Sequence, residues 1–329
     1  MENSGLMIVM SYPETVVMVA DEWYSSYLKY FGIGKKDYVR AGHAALVLID
    51  KSTGELEYHD FGRYITPEPF GRVRGKDTDC ELDFPLKAEL NGDEIVNLTK
   101  LLVFLATHPK LTHGDGRLIA TVCTAIDYRE ARKHITDQQH KHFIRYAAFI
   151  KDASNCARFV TRALIASVTD EKIKRKLIAS TRFTPSTVGN VLNSCTGNPI
   201  YEVSPLGEIS ELNQSLFTIN RLCFLDKLED YVPALIGTMY PKRVDSLHPH
   251  AQWLSGIAAG AWYELYETDM EMEYLFRRVS PHGNVDVHDR YLVENDLFDY
   301  SKKYDFIQYS NCSFFHILQG DVVYRFNRK

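Results

Sequence analysis

The stretch from Gly42 to Tyr64 constrains this chain more than any other. Two β-rich runs, GHAALVLID and LEYHDFGRY, flank KSTGE, a turn-forming segment with a glycine near its end. They predict an antiparallel hairpin that carries two histidines, with His43 opening its first strand and His59 on its second. With a five-residue turn, Asp50 faces Leu56 and His43 faces Arg63, so His59 shares the face of His43. A four-residue loop puts Asp60 on that face instead, because one residue of slip turns every side chain over.

Around the hairpin the first half alternates strands and helices. GLMIVMSY and ETVVMVA read as short strands separated by Pro13, and DEWYSSYLKYFGI reads as a helix stopping at Gly32. GDEIVNLTKLLVFLATHP reads as a helix and GRLIATVCTAI as a buried strand. DYREARKHITDQQHKHFI is a charged helix whose His134, His140 and His142 face solvent. In DASNCARFVTRALIASVTD, Asp152 and Ser154 are capping candidates ahead of Phe159, Val160, Ala163, Leu164 and Val168 at helical spacing, which puts Cys156 in a first helical turn. A soft break follows between 170 and 205. Beyond it, PHAQWLSGIAAGAWYELYE reads as a buried helix, and EMEYLFRRVS, YDFIQYS, SFFHILQ and DVVYRF read as strands. The expected organisation is α+β, with one domain over residues 1–195 and a C-terminal α/β extension over 196–329.

The chain is long enough for one large core or two modest ones, at 329 residues and 45% hydrophobic content. A net charge of −5 offers no phosphate-binding surface and argues against nucleic acid as a partner. No apolar run approaches the roughly 18 residues of a membrane helix, and the first residues lack a basic, signal-like start, so the expected setting is cytoplasmic with no membrane partner. Six cysteines without C-x-x-C spacing read as reduced thiols.

A cysteine hydrolase needs a thiolate, an imidazole to exchange protons with it, a group that orients the imidazole, and donors for the oxyanion. Cys156 has the place for the first, since unpaired N–H groups at a helix start favour a thiolate. His43 has the place for the second, projecting from a sheet beside Gly42. Other groups compete. SNCSFF at 310–315 echoes SNCARF, but its β-forming residues put Cys312 on or beside a strand, with His316 on the same face. His248, His250, His282, His288 and Asp289 supply metal-ligating atoms at no standard spacing. Arg72 and Arg74 read either as a substrate carboxylate or phosphate clamp or as a solvated strand edge.

GHAALVLID, a histidine on the adjacent strand, and NC-x-x-F-V opening a helix about a hundred residues later resemble the circularly permuted branch of papain-like hydrolases. That branch holds permuted NlpC-type peptidases and lecithin retinol acyltransferase-like enzymes, in which the histidine strand precedes the nucleophile helix. The resemblance spans residues 35–175 and leaves the C-terminal part without a counterpart. It implies a papain-like core with an antiparallel sheet, Cys156 as nucleophile, His43 as general base and His59 as the orienting residue. It also implies acyl transfer through a thioester with no cofactor and no metal. The substrate it implies is a small or cell-wall-derived peptide or other amide. Two other functions stay open: a lipid acyltransferase or esterase, and a non-catalytic binding or scaffold protein on the same fold.

Overall fold

The structure is a computed structural model and describes residues 2–35, 38–229, 243–257 and 259–329. The chain begins with β1 (Gly5–Tyr12), a ribbon of β2 (Val16–Met18) and β3 (Tyr38–Arg40) around the single-turn helix α1 (Ser25–Leu28), and the hairpin β4 (His43–Asp50) and β5 (Leu56–Gly62). Next come β6 (Phe70–Arg74), the small pair β7 (Leu90–Asn91) and β8 (Glu94–Ile95), α2 (Leu98–Thr107), α3 (Pro109–Thr112), β9 (Leu118–Ile126), α4 (Tyr128–Gln139) and β10 (Ile144–Arg145). Three helices follow, α5 (Cys156–Ser167), α6 (Glu171–Ser180) and α7 (Thr187–Ser194), then β11 (Tyr201–Val203), β12 (Ile209–Glu211) and α8 (Leu216–Phe224).

One antiparallel sheet collects most of these strands in the order β10-β6-β5-β4-β1-β9-β11-β12. Strand β1 lies between β4 and β9 and is buried along its whole length, because both faces of the sheet are covered. On one face Met7, Val9, Ala44, Leu46, Leu48 and Phe61 pack under α4, α5, α6 and α7. On the other, Leu6, Ile8, Ala45, Val47, Ile49 and Tyr58 pack under α2. The sheet extends to Glu211, past the boundary expected at residue 195.

A second antiparallel sheet starts at residue 252. It holds β13 (Gln252–Ser255), β14 (Gly260–Glu267), β15 (Glu273–Val279), β16 (Val285–Val293), β17 (Asp305–Ile307), β18 (Phe314–Gln319) and β19 (Val322–Arg328), in the order β13-β14-β15-β16-β19-β18-β17. No helix occurs among the described residues of 252–329, so within the extension expected over 196–329 the helix α8 precedes a unit built of strands. In particular PHAQWLSGIAAGAWYELYE is a hairpin, not a buried helix. Trp253 pairs with Trp262 across it, and the Trp253 ring fills the space where a Cβ on Gly260 would sit, 2.2 Å away. Aromatic cross-strand packing and a glycine that admits the ring outweigh the alanine-rich stretch between them.

The two units are joined closely. Tyr64 bridges Ala259, the Cys312 amide donates to the Thr78 carbonyl at 3.0 Å, and Tyr309 packs on the rings of His142 and Phe143. His142 therefore faces the second sheet, not solvent alone. The helix expected over DEWYSSYLKYFGI shrinks to α1 and a 3-10 turn at Lys29–Phe31, since tryptophan, tyrosine and serine are weak helix formers. No described helix is long and apolar enough to cross a membrane.

Candidate active site

Helix α5 starts where a cap starts it. Asn155 is extended and its side chain accepts the Arg158 N–H at 2.9 Å, so Cys156 is the first helical residue. The amides of the first turn have no intrahelical acceptor, and Cys156 sits among them. Phe159, Val160, Ala163 and Leu164 bury one face of the helix against the sheet, where α5 packs on β4 and β5. That packing sets the thiol beside the start of β4.

His43 is the first residue of β4 and is buried. Gly42 before it has φ +75°, and a Cβ there would come within 2.8 Å of Thr187 Oγ1 and 3.1 Å of the Tyr12 carbonyl. Only glycine fits a left-handed position this crowded. The imidazole donates from Nε2 to Asp60 Oδ2 at 3.1 Å, neighbours the Cys156 thiol, and stacks on Tyr12 with ring centroids 6.4 Å apart. Burial disfavours the imidazolium, but the hydrogen bond to Asp60 and the neighbouring Cys156 outweigh it and push His43 up to about 9. At neutral pH this ring is a proton donor.

The structure brings Asp60, not His59, to His43. Asp50 and Glu55 close the hairpin, with the Asp50 amide donating to the Glu55 carbonyl at 3.2 Å, so the loop has four residues. Ala45 then pairs with Asp60 and Leu46 with His59. His59 turns to the other face, where its Nδ1 lies 3.2 Å from the Arg74 carbonyl and its Nε2 lies 3.4 Å from Glu57 Oε2. The orienting position expected for His59 is therefore corrected, for a reason of register alone.

Asp60 is fully buried and heavily tied. Arg74 grips it in a fork, Nε to Oδ1 at 2.9 Å and an Nη to Oδ2 at 2.6 Å, and the hydroxyls of Tyr58 and Tyr64 donate to Oδ2 at 3.1 and 3.0 Å. Burial opposes the carboxylate, yet Arg74 and His43 hold it far below the usual range. Arg74 stacks over the Tyr64 ring at 3.9 Å. Next to it His113 is driven down to about 3 by burial and by the Arg74 charge, so it stays neutral. Arg72 is likewise internal, bidentate to Asp79 at 2.5 and 2.6 Å. Neither arginine is a strand-edge residue in solvent, and neither is free to clamp a substrate anion. Sequence reasoning misses Tyr58 and Tyr64 as site residues and gives Arg74 another role, though YHD on β5 and RVR on β6 hold Tyr58, Asp60 and Arg74, and Asp60 pairs directly with Arg74.

Cys156 opens onto a groove of about 770 Å³ walled by Val17, Met18, Trp23, Phe149 and Phe183. Phe149 packs edge-on against Tyr24 and Phe183, each 5.0 Å away, and the buried Glu22 carboxylate accepts the Ala148 and Phe149 amides at 2.6 and 2.9 Å. A neighbouring hollow of about 600 Å³ shares Met18, Trp23 and Tyr146 with it and is lined also by Ile257 of the second sheet unit.

The other candidate groups in the sequence lie apart. His316 bonds to the Tyr309 carbonyl and does not meet Cys312. Asp289 pairs with Arg328, and His248 contacts the His250 ring. None of the histidines from 248 to 288 belongs to a metal-capable cluster among the described residues.

A family of type VI secretion system effectors, described as TseH-like, matches residues 7–173, which include Cys156, His43 and Asp60. The chain belongs to this TseH-like family. Residues 251–329 match a second family, the DUF6695 C-terminal domain, which corresponds to the second sheet. A crystal structure of the type VI secretion system effector TseH is similar at 17% identity, covering 64% of this chain and 99% of that one, with a TM-score of 0.44. The comparison with curated proteins finds no match. In the chain's TseH-like portion, Gly42 ahead of the hairpin and Cys156 at the start of α5 line one groove.

Proposed function

We propose that the chain is a cysteine-dependent hydrolase that cleaves an amide through a thioester, with Cys156 as nucleophile, His43 as its proton partner and Asp60 as the residue that orients His43. One observation carries this reading: a buried imidazole anchored by a carboxylate and next to a thiol that opens a helix and lines a groove. Cys156 attacks the carbonyl carbon as the thiolate of a thiolate–imidazolium pair with His43, and the Cys156 amide donates to the developing oxyanion. His43, protonated at neutral pH, passes its proton to the leaving amine; water then adds to the thioester, returns a proton to His43 and releases the acid. Asp60 keeps the ring in place, and Arg74 with the two tyrosines keeps Asp60 ionised and aimed.

The favoured substrate is a small or cell-wall-derived peptide. Membership of an effector family supports delivery out of the producing cell, which brings wall peptide within reach. The apolar walls of the groove favour a second reading, an acyl ester whose chain lies along Val17, Met18 and Phe149. Limiting iodoacetamide from pH 5 to 9, mapped by mass spectrometry, with turnover of matched amide and ester panels, tests both. A Cys156 that alkylates faster than the other cysteines, loses that advantage in His43→Ala, and turns over amides faster supports the first reading; faster ester turnover supports the second. No reactive outlier and no turnover would make the chain a binding protein on this fold.

A further inference from the structure

The echo of the nucleophile segment, SNC at 310–312, has its own surroundings. Cys312 is buried just before β18, and its sulfur lies within 4.8 Å of the sulfur of Cys80, which comes from the first unit. The Cys312 thiol donates to Glu81 Oε2 at 3.9 Å. Cys80 is partly exposed and also donates to the Asp286 carbonyl at 2.6 Å, while Arg278 directs an Nη at Cys312 Sγ at 2.7 Å. Glu81 completes a set of possible metal ligands, but Arg278 places a fixed positive charge on the same sulfur. That charge opposes a cation and favours a thiolate.

We propose that Cys80 and Cys312 form a thiol–disulfide modification site that closes a covalent link between the two sheet units. The oxidant is a disulfide, of a small molecule or of an oxidoreductase. Cys80, the accessible thiol, attacks it as the thiolate, forming a mixed disulfide and releasing one external thiolate. Cys312 then passes its proton to the Glu81 carboxylate, 3.9 Å from its sulfur, with Arg278 on the same sulfur, and attacks Cys80 Sγ, releasing the second external thiolate. Two protein thiols are oxidised and one external disulfide is reduced to two thiols. The order of attack agrees with the surroundings, because Cys80 is partly exposed and Cys312 is buried, and the neighbouring thiol lowers Cys80 while that neighbour and burial raise Cys312. A chain carried from a reducing to an oxidising compartment meets such partners. The site stands independently of the Cys156 chemistry.

The test equilibrates the full chain in graded oxidised and reduced glutathione, quenches with acid, and maps peptides without reduction. The expected result is a Cys80–Cys312 cross-linked peptide that rises with the oxidised fraction, is lost in Cys80→Ser and in Cys312→Ser, and persists in Cys156→Ser. Glutathione retained on Cys80 with Cys312 still free would overturn the proposal. So would full alkylation of both thiols after unfolding at every ratio, or stoichiometric zinc held by the two sulfurs after incubation with zinc ion alone.

Discussion

Two segments of this chain share the letters SNC and have almost nothing else in common. At 154–156 the asparagine caps a helix, and the cysteine opens onto a groove beside a buried imidazole. At 310–312 the asparagine side chain accepts the Ser313 and Phe314 amides in a bend, and the cysteine is enclosed by a second thiol and an arginine from neighbouring elements. Asparagine satisfies backbone donors in both places, so its local role is the same. What differs is the partner that the tertiary fold brings to sulfur: a titratable ring beside a sulfur that lines a cleft in one case, a thiol at a seam between units in the other. Sequence likeness over three residues sets a turn, not a chemistry.

The largest effect should separate the two cysteines. Cys156→Ser is expected to lower kcat/KM on a cleaved substrate on the order of 10⁴-fold, whereas Cys312→Ser should leave it unchanged. Equal losses in steady-state assays would break the comparison.

The same contrast extends to the residues around the first cysteine. Asp60→Asn leaves the Arg74 guanidinium buried without its charge partner and should destabilise the fold by about 3–5 kcal/mol in urea unfolding, with activity falling as His43 loses its anchor. His59→Gln, on the opposite face of the same strand, should cost about 1–3 kcal/mol and leave kcat/KM intact. A matching activity loss would return His59 to the site.

Stability against pH sharpens the picture further. His43 titrates near 9 in the folded chain against 6.5 for an ordinary histidine, so the folded state holds a proton that the unfolded chain releases. Its contribution, on the order of 3 kcal/mol, is whole below about pH 6.5 and is lost as pH rises through 9. Asp60 acts in the opposite sense, since its depressed titration stabilises the fold above about pH 4 and that stabilisation fades on acidification. Unfolding free energies from pH 5 to 10 should fall along the alkaline limb, and His43→Gln should flatten that limb. The smallest effect is that of the cap: Asn155→Ala should cost about 1 kcal/mol in thermal unfolding.

Much of the site is legible in the amino-acid sequence, and the illegible part has a common cause. Cap, helix and the apolar stripe of α5 are encoded within a few residues of Cys156, and the hairpin is encoded by two β-rich runs around Gly54. Periodicity, capping and turn chemistry act over such distances, so these elements read directly. Whether the hairpin loop has four or five residues is decided by pairing with β1 and β6 and by the burial of Asp60 against Arg74, and that single step exchanges His59 for Asp60. The alanine-rich segment before Trp262 becomes a hairpin because a neighbouring ring and strand occupy it. Cys80 and Cys312 lie 232 positions apart in the chain and meet only when two sheets pack. Local free energy differences of a fraction of a kcal/mol per residue select helix or turn. Long-range burial and ion pairing are larger, and they decide register, partner and access to the groove.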